Sequence, residues 1–306
     1  MKMGVPGGDS GGPGLAVGHA LRHESAHLHV AGEATYVDDI AELQGSLHAA
    51  FGLSARAHAR ILSMDLARVR ASPGVVAVLV AADIPGENNF GAVTHDDPIL
   101  ADGIVHYMGQ PIFVVAALTR DEARRAARLA DVFYEDLDAL LDVEEALARR
   151  EYVLPSVTLE RGDWQAALLR APHRLKGRLK IGGQEQFYLE GQIAYAVPRE
   201  DGEMLVHSST QHPTEVQHMV AHALGVEIHK VAVECRRTGG GFGGKETQPA
   251  LFACAAGVLA RHLERPVKLR ADRDDDFLIT GKRHDFVIDY DVGFDETGRI
   301  LGLDVS

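Results

Sequence analysis

The ten residues TGGGFGGKET, Thr238 to Thr247, have the composition of a loop that binds anionic oxygen. Gly239, Gly240, Gly241, Gly243 and Gly244 let a backbone approach a ligand closely and turn its amides inward. Amides converging ahead of a helix N-terminus make an electropositive cradle. Gly239 to Lys245 also has the G-x-x-x-x-G-K spacing of a phosphate-binding loop. The next residue is Glu246, where that loop needs a Ser or Thr hydroxyl for Mg²⁺. A carboxylate there repels phosphate, and suits a polar heterocycle whose ring atoms it can hydrogen-bond. The residues alone leave two readings open. One is a cradle for an oxygen-rich ligand. The other is a tight glycine turn with Lys245 and Glu246 solvated at a helix start.

Other chemistry-bearing residues are sparse. Cys235 and Cys254 both sit in apolar surroundings, the pattern of core thiols. There is no C-x-x-C pair, so a thiolate zinc site or a cysteine-held iron–sulfur cluster on this chain is unsupported. His218 and His222 share one helical face in QHMVAHALG, but without an evident third ligand they read as surface or capping histidines. The 306 residues carry 31 Lys and Arg against 44 Asp and Glu, a net charge of −13 that argues against nucleic acid or an anionic membrane surface as partner. Hydrophobic residues make up 46%, enough for a substantial core. The N-terminal MKMGVPGGDSGGPG lacks the apolar stretch of a secretory signal, and no run approaches membrane-spanning length, so the expected compartment is the cytoplasm.

The elements that must position the loop follow from pattern. VAVEC (231–235) reads as a strand before it and PALFACAAGVLARHL (249–263) as an Ala-rich helix after it. Pro213 suits the first turn of a helix ending at an αL Gly225, and Asp163 suits the N-cap of WQAALLRA. Strands are expected at RLKGRLKI, QIAYAVP, MLVHSST, PVKLRADR and HDFVIDYDVGF, with a hairpin turn at Asp295, Thr297 and Gly298 leading into RILGLDVS. Upstream, SLHAAFGLS, VVAVLVAADI, QPIFVVAALT and VFYEDL read as strands. MDLARVRAS (with Ser63 as cap), DEARRAARLA and VEEALARR read as helices, and residues 85–103 as an irregular loop. VVAVLVA, IFVVAAL, IAYAV and VAVEC are the strands expected to be buried. The organisation is a flexible tail over 1–18, an α+β domain over 19–155 and part of a second α+β domain over 160–306. Ser306 falls within a strand pattern, the sign of a truncated or split polypeptide.

Four segments together carry a resemblance: IGGQEQFYLEGQ (181–192), HSSTQHPTEVQ (207–217), RRTGGGFGGKE (236–246) and RDDDFLITGKRHDF (273–286). In type, order and spacing they are similar to the large, molybdenum-cofactor-binding subunit of xanthine dehydrogenases, in the xanthine oxidase family of molybdenum hydroxylases. GEATYVDDI (32–40) and VHYMGQPIFVVAA (105–117) resemble the α/β hammerhead domain that precedes it there. The match runs from about His19 to the end. GQEQFYLEGQ and GGGFGGKE also recur in relatives that oxidise aldehydes or carbon monoxide.

The resemblance implies molybdopterin as cofactor, with FAD and [2Fe-2S] clusters on a partner subunit or other domains, so a hetero-oligomer when complete. It implies hydroxylation of hypoxanthine or xanthine with oxygen from water, a step of purine catabolism. It places the amide of Phe242, followed by Gly243, against an oxygen ligand of molybdenum, and the Gln211 side-chain amide against the same centre. Neither residue ligates the metal, which the pterin dithiolene holds. Glu246 matches the purine-contacting glutamate, a position commonly apolar in aldehyde oxidases. The family's general-base glutamate and a substrate-binding arginine lie further on. No catalytic residue is therefore assigned to this chain, which is expected to be incomplete for catalysis. A sister hydroxylase acting on aldehydes or other N-heterocycles, and a non-catalytic portion that only assembles, remain as alternatives. ATP binding is disfavoured by Glu246. Gln184, Glu185, Gln186 and Glu190 read as a polar turn organising the core, Arg273 with Asp274 to Asp276 as an ion-pair network, and His212 and Lys245 as supporting residues.

Overall fold

A computed structural model describes residue 18 and residues 20–306. Apart from Gly18, the stretch read as a flexible tail (1–18) lies outside the described residues. The strands are β1 (Leu47–Leu53), β2 (Ala59–Asp65), β3 (Val75–Leu79), β4 (Ile104–Val105), β5 (Pro111–Ala117), β6 (Asp131–Asp136), β7 (His173–Ile181), β8 (Ile193–Pro198), β9 (Met204–Ser208), β10 (Val231–Glu234), β11 (Val267–Arg270), β12 (Phe286–Phe294) and β13 (Ile300–Val305). The helices are α1 (Ala26–Ala31), α2 (Ala67–Arg70), α3 (Arg120–Ala127), α4 (Val143–Arg149), α5 (Trp164–Arg170), α6 (Pro213–Leu224), α7 (Gln248–Leu263) and α8 (Arg273–Ile279).

A seven-stranded mixed sheet runs β10-β9-β8-β11-β1-β5-β3. Its members come from both halves of the sequence. The halves join where β1 pairs in parallel with β11, Leu47 opposite Val267 and Ala49 opposite Leu269. Most other neighbours are antiparallel, so the sheet is not of the doubly wound parallel type. Two smaller sheets flank it, β13-β12-β7 and β4-β2-β6.

Position in the sheet sets burial. Strands β5 and β8 lie inside it and bury nearly every residue, as the apolar runs IFVVAAL and IAYAV require. VVAVLVA and VAVEC were expected to be buried, and the structure corrects both. They form β3 and β10, the two edges, and each leaves residues facing outward. A β-branched run reports strand propensity and cannot tell an edge from a centre.

The helix caps follow the sequence: Asp163 accepts the Ala166 amide at 3.0 Å, and Gly225 ends α6 at φ +64°. The cap expected from Ser63 does not form. Ser63 lies in β2, and Asp65 accepts the Ala67 amide at 2.9 Å instead, ahead of a helix only four residues long. Helix α7 is buried from Pro249 to Ala260. Its alanines let it lie against β8 and α6, which fixes the end that carries the glycine loop.

Candidate functional site

The loop between β10 and α7 is shaped by what its glycines exclude. A Cβ at Gly241 would stand 2.3 Å from Gln211 Oε1, and one at Gly244 would stand 2.7 Å from Tyr188 Cε1. Both distances lie inside van der Waals contact, so the backbone approaches its neighbours only because these side chains are absent. Phe242, between them, holds φ +56° with a full side chain. Such strain in a bulky residue marks functional sites and persists only where surroundings impose it.

The neighbours that impose it are polar. Gln211 donates its amide to Lys245 O at 2.7 Å, and its Oε1 accepts from the amides of Gly243 at 3.1 Å and Lys245 at 3.3 Å. With the side-chain carbonyl occupied by the loop, Nε2 is left as an outward donor. The Phe242 amide has no acceptor among the described residues. Gln211, Phe242, Gly243 and Glu246 are all exposed, Phe242 at 75%, and Gln211, on the connection between β9 and α6, is hydrogen-bonded to the loop that carries the other three. Glu246 forms no ion pair among the described residues.

Under this face lies a polar network. Lys245 is fully buried. Its Nζ donates to Ser209 Oγ at 2.7 Å and Glu190 Oε2 at 3.2 Å, and stands 4.8 Å from the centre of the Tyr188 ring. Glu190 Oε2 also accepts from Ser209 Oγ at 2.5 Å and from the Gly239 amide at 2.8 Å. Beside it, Asp276 accepts the Tyr188 hydroxyl at 2.7 Å and the Gln192 amide at 3.0 Å. Gln192 Nε2 then reaches Gly244 O at 2.9 Å. Burial pushes the Lys245 ammonium below the usual lysine range, against the pull of Glu190. Burial, with the Asp276 carboxylate, pushes the Tyr188 hydroxyl well up.

The reading of Lys245 as a solvated helix-start residue is therefore corrected. No local signal gave it away, because Glu190 lies 55 positions earlier. The polar turn GQEQFYLEGQ does organise the core, through Tyr188, Glu190 and Gln192. Of the ion-pair network expected for Arg273 with Asp274 to Asp276, one long pair forms, Arg273 to Asp276, and none joins Arg273 to Asp274 or Asp275 among the described residues. Asp276 accepts neutral donors at short range, and Arg273 approaches it only to 4.0 Å. Arg273 packs instead over Phe187, Tyr188 and Phe277. His212 stands by Glu215 at 3.0 Å. Cys254 is buried but Cys235 only half so, and burial raises the pKa of both thiols. No group of three or more His, Cys, Asp or Glu able to hold a metal occurs among the described residues.

The exposed donors suit a particular ligand. They are neutral N–H groups with one carboxylate at the margin, and Glu246 takes the position directly after Lys245 where a nucleotide loop needs a Ser or Thr for Mg²⁺. Neutral donors on a strained loop fit the electron-rich oxygen of a metal cofactor held by its own organic ligand, as molybdopterin holds molybdenum.

Comparison with known proteins places the loop within a matched domain. Residues 146–306 match the molybdopterin cofactor-binding domain, and residues 31–138 match the a/b hammerhead domain of aldehyde oxidase and xanthine dehydrogenase. Over 297 residues the chain is 43% identical to a xanthine dehydrogenase of Oryza sativa subsp. japonica, covering 96% of this chain and 22% of that protein. It is 41% identical over 293 residues to aldehyde oxidase 4 of Cavia porcellus, covering 95% of this chain and 22% of that one. The solved aldehyde oxidoreductase of Desulfovibrio gigas superimposes with a TM-score of 0.81 at 26% identity, covering 92% of this chain and 33% of that chain. The chain thus spans about a fifth of the length of the curated relatives it matches. With hammerhead and cofactor-binding domains both matched, the chain belongs to the xanthine oxidase family of molybdenum hydroxylases.

Proposed function

We propose that the chain is the molybdopterin-holding part of a xanthine dehydrogenase that hydroxylates hypoxanthine and xanthine in purine catabolism. The observation that carries the substrate is Glu246, an exposed carboxylate without an ion-pair partner among the described residues, directly behind the loop that presents the Phe242 amide. A purine offers ring N–H groups from which a carboxylate can accept, and an aldehyde offers none. Bound molybdenum cofactor would supply oxygen transfer from water coupled to two-electron oxidation. The Phe242 amide and Gln211 Nε2 would hold its oxygen-bearing side, donating without adding charge, and Gly243 would leave that side open. Glu246 would orient the ring. The proton-abstracting carboxylate and a substrate-binding arginine belong, in this reading, to the portion of the relatives' length that this chain does not span. [2Fe-2S] clusters and FAD on partner domains or subunits would carry electrons away, in a cytoplasmic hetero-oligomer.

A second reading, an aldehyde-oxidising sister enzyme, is favoured by the similar identities to xanthine dehydrogenase and aldehyde oxidase. Steady-state kinetics of the complete enzyme with xanthine and with benzaldehyde separates the two. A higher kcat/KM for xanthine supports the proposal, and a higher value for the aldehyde overturns it.

A further inference from the structure

We infer that Lys245 is a positioning residue, whose buried ammonium, anchored on Glu190 and Ser209, sets the loop amides and the Gln211 side chain that face the cofactor. The inference rests on the molybdenum-hydroxylase reading above, and adds a residue beneath the site to those on its surface.

Lys245 is attached on both sides. Below, its Nζ reaches Ser209 Oγ at 2.7 Å and Glu190 Oε2 at 3.2 Å. Above, its amide reaches Gln211 Oε1 at 3.3 Å, and its carbonyl accepts the Gln211 amide at 2.7 Å and Thr210 Oγ1 at 3.3 Å. Glu190 meanwhile holds the other end of the loop through the Gly239 amide at 2.8 Å. One ion pair therefore grips both ends of the segment that carries Phe242. Gln211 sits on the same residue, so a shift of Lys245 moves both outward donors together.

The pair acts by position and not by field. A fully buried lysine is unusual, because removing an ammonium from water is costly unless it is paired. Here Glu190, 12% exposed, neutralises it at close range, which leaves little net potential at the loop's outer face. What remains is geometry, and donors aimed at charge developing in a transition state lose effect with small displacements. A residue holding only the fold would affect stability and activity together. A residue setting these donors affects them separately.

The test uses the holoenzyme. In Lys245→Met, hydrogen–deuterium exchange at the amides of Gly240 to Gly244 should rise while β5 (Pro111–Ala117) stays protected. The kcat for xanthine should fall about a hundredfold with KM little changed, since the donors act in the transition state. Adding Glu190→Gln removes the carboxylate left unpaired, so Tm should recover while loop exchange and kcat remain impaired. Ser209→Ala removes one partner of Nζ without changing charge, and should give the same pattern more weakly. It decides the matter if Lys245→Met does not fold. Unchanged loop exchange in these variants, or a double variant that regains kcat along with Tm, overturns the inference. Loop exchange is read whatever the substrate, so a wild-type holoenzyme inactive on xanthine overturns the functional reading and leaves the exchange data to decide Lys245.

Discussion

Glu246 and Gln211 are both exposed, on two loops joined by hydrogen bonds, and should fail differently. Glu246 has no protein partner among the described residues, so its hydrogen-bonding capacity is directed outward. Removing a charged hydrogen-bond partner of a purine leaves ring atoms unpaired, at about 2–4 kcal/mol. Glu246→Ala in the complete enzyme should therefore lower kcat/KM for xanthine about thirtyfold to a thousandfold, since each ~1.4 kcal/mol is a factor of ten. An aromatic aldehyde, lacking ring nitrogens, should lose little. If Gln211 faces the cofactor as proposed, Gln211→Ala removes a donor there and should impair both substrates alike. Equal losses for both substrates in Glu246→Ala, measured by steady-state kinetics, would reject purine recognition and assign Glu246 to the loop itself. These residues were legible in the sequence because each belongs to a short contiguous motif. Glu190, Ser209 and Asp276 were legible as polar residues only. Their role depends on partners tens of positions away, which no local pattern encodes.

The elements around the loop show where reading by pattern stops. Helices α6 and α7 and the loop between β10 and α7 follow from Pro213, Gly225 and the glycine run, because caps and φ > 0 positions are local demands. The edge placement of β3 and β10 is a property of the assembled sheet and has no local sign. Strand order also creates an acid sensitivity. On β9, His207 lies opposite Tyr195 of β8 and Glu234 of β10. It stacks on the Tyr195 ring at 6.1 Å, and its Nδ1 stands 3.5 Å from Glu234. Burial lowers its pKa below the ordinary 6.5, Glu234 opposes that, and Arg199 adds to it. The unfolded chain therefore takes up this proton first as pH falls. The stability His207 contributes is present above 6.5 and is lost as pH falls from there toward the folded-state value. Thermal melts at about pH 8 and about pH 5.5 should show a smaller acid loss of Tm in His207→Gln than in the wild-type chain. An identical loss in both would mean other groups carry the acid sensitivity.

At the scale of the molecule, two features follow from how the sheets are assembled. The three-stranded sheet β13-β12-β7 packs α5 against Gly293 and Gly302 on one face. Its other face presents Leu175, Leu179, Phe286, Leu303 and Val305, all exposed. Contiguous apolar area of this kind binds hydrophobic probes. The 306-residue chain should enhance 8-anilinonaphthalene-1-sulfonate fluorescence while folded, and Leu175→Lys with Leu303→Lys should reduce the signal. Unchanged fluorescence in that double variant would place the binding elsewhere. The seven-stranded sheet has a different consequence. The partition into 19–155 and 160–306 was read from composition and motif, yet the strands of the two stretches lie side by side in one sheet, joined at the β1–β11 pairing. That pairing joins residues about 220 positions apart, so no local pattern could have shown it. Side chains reinforce it. Lys268 reaches Asp38 at 3.0 Å and Glu42 at 3.1 Å, Arg120 reaches Asp272 at 2.7 Å, and the Leu43 amide donates to the Tyr195 hydroxyl at 2.9 Å. Separating the halves would expose the open edges of β1 and β11 and break the ion pairs of Lys268 with Asp38 and Glu42. Neither half should then unfold independently of the other. Scanning calorimetry of the chain should show one cooperative transition whose calorimetric and van't Hoff enthalpies agree. Lys268→Met should shift that transition to lower temperature without splitting it, because the loss is shared by the whole sheet. Two resolved transitions in the wild-type chain, or a Lys268→Met melt in which only one component moves, would show that the halves fold as separate units despite the ladder that joins them.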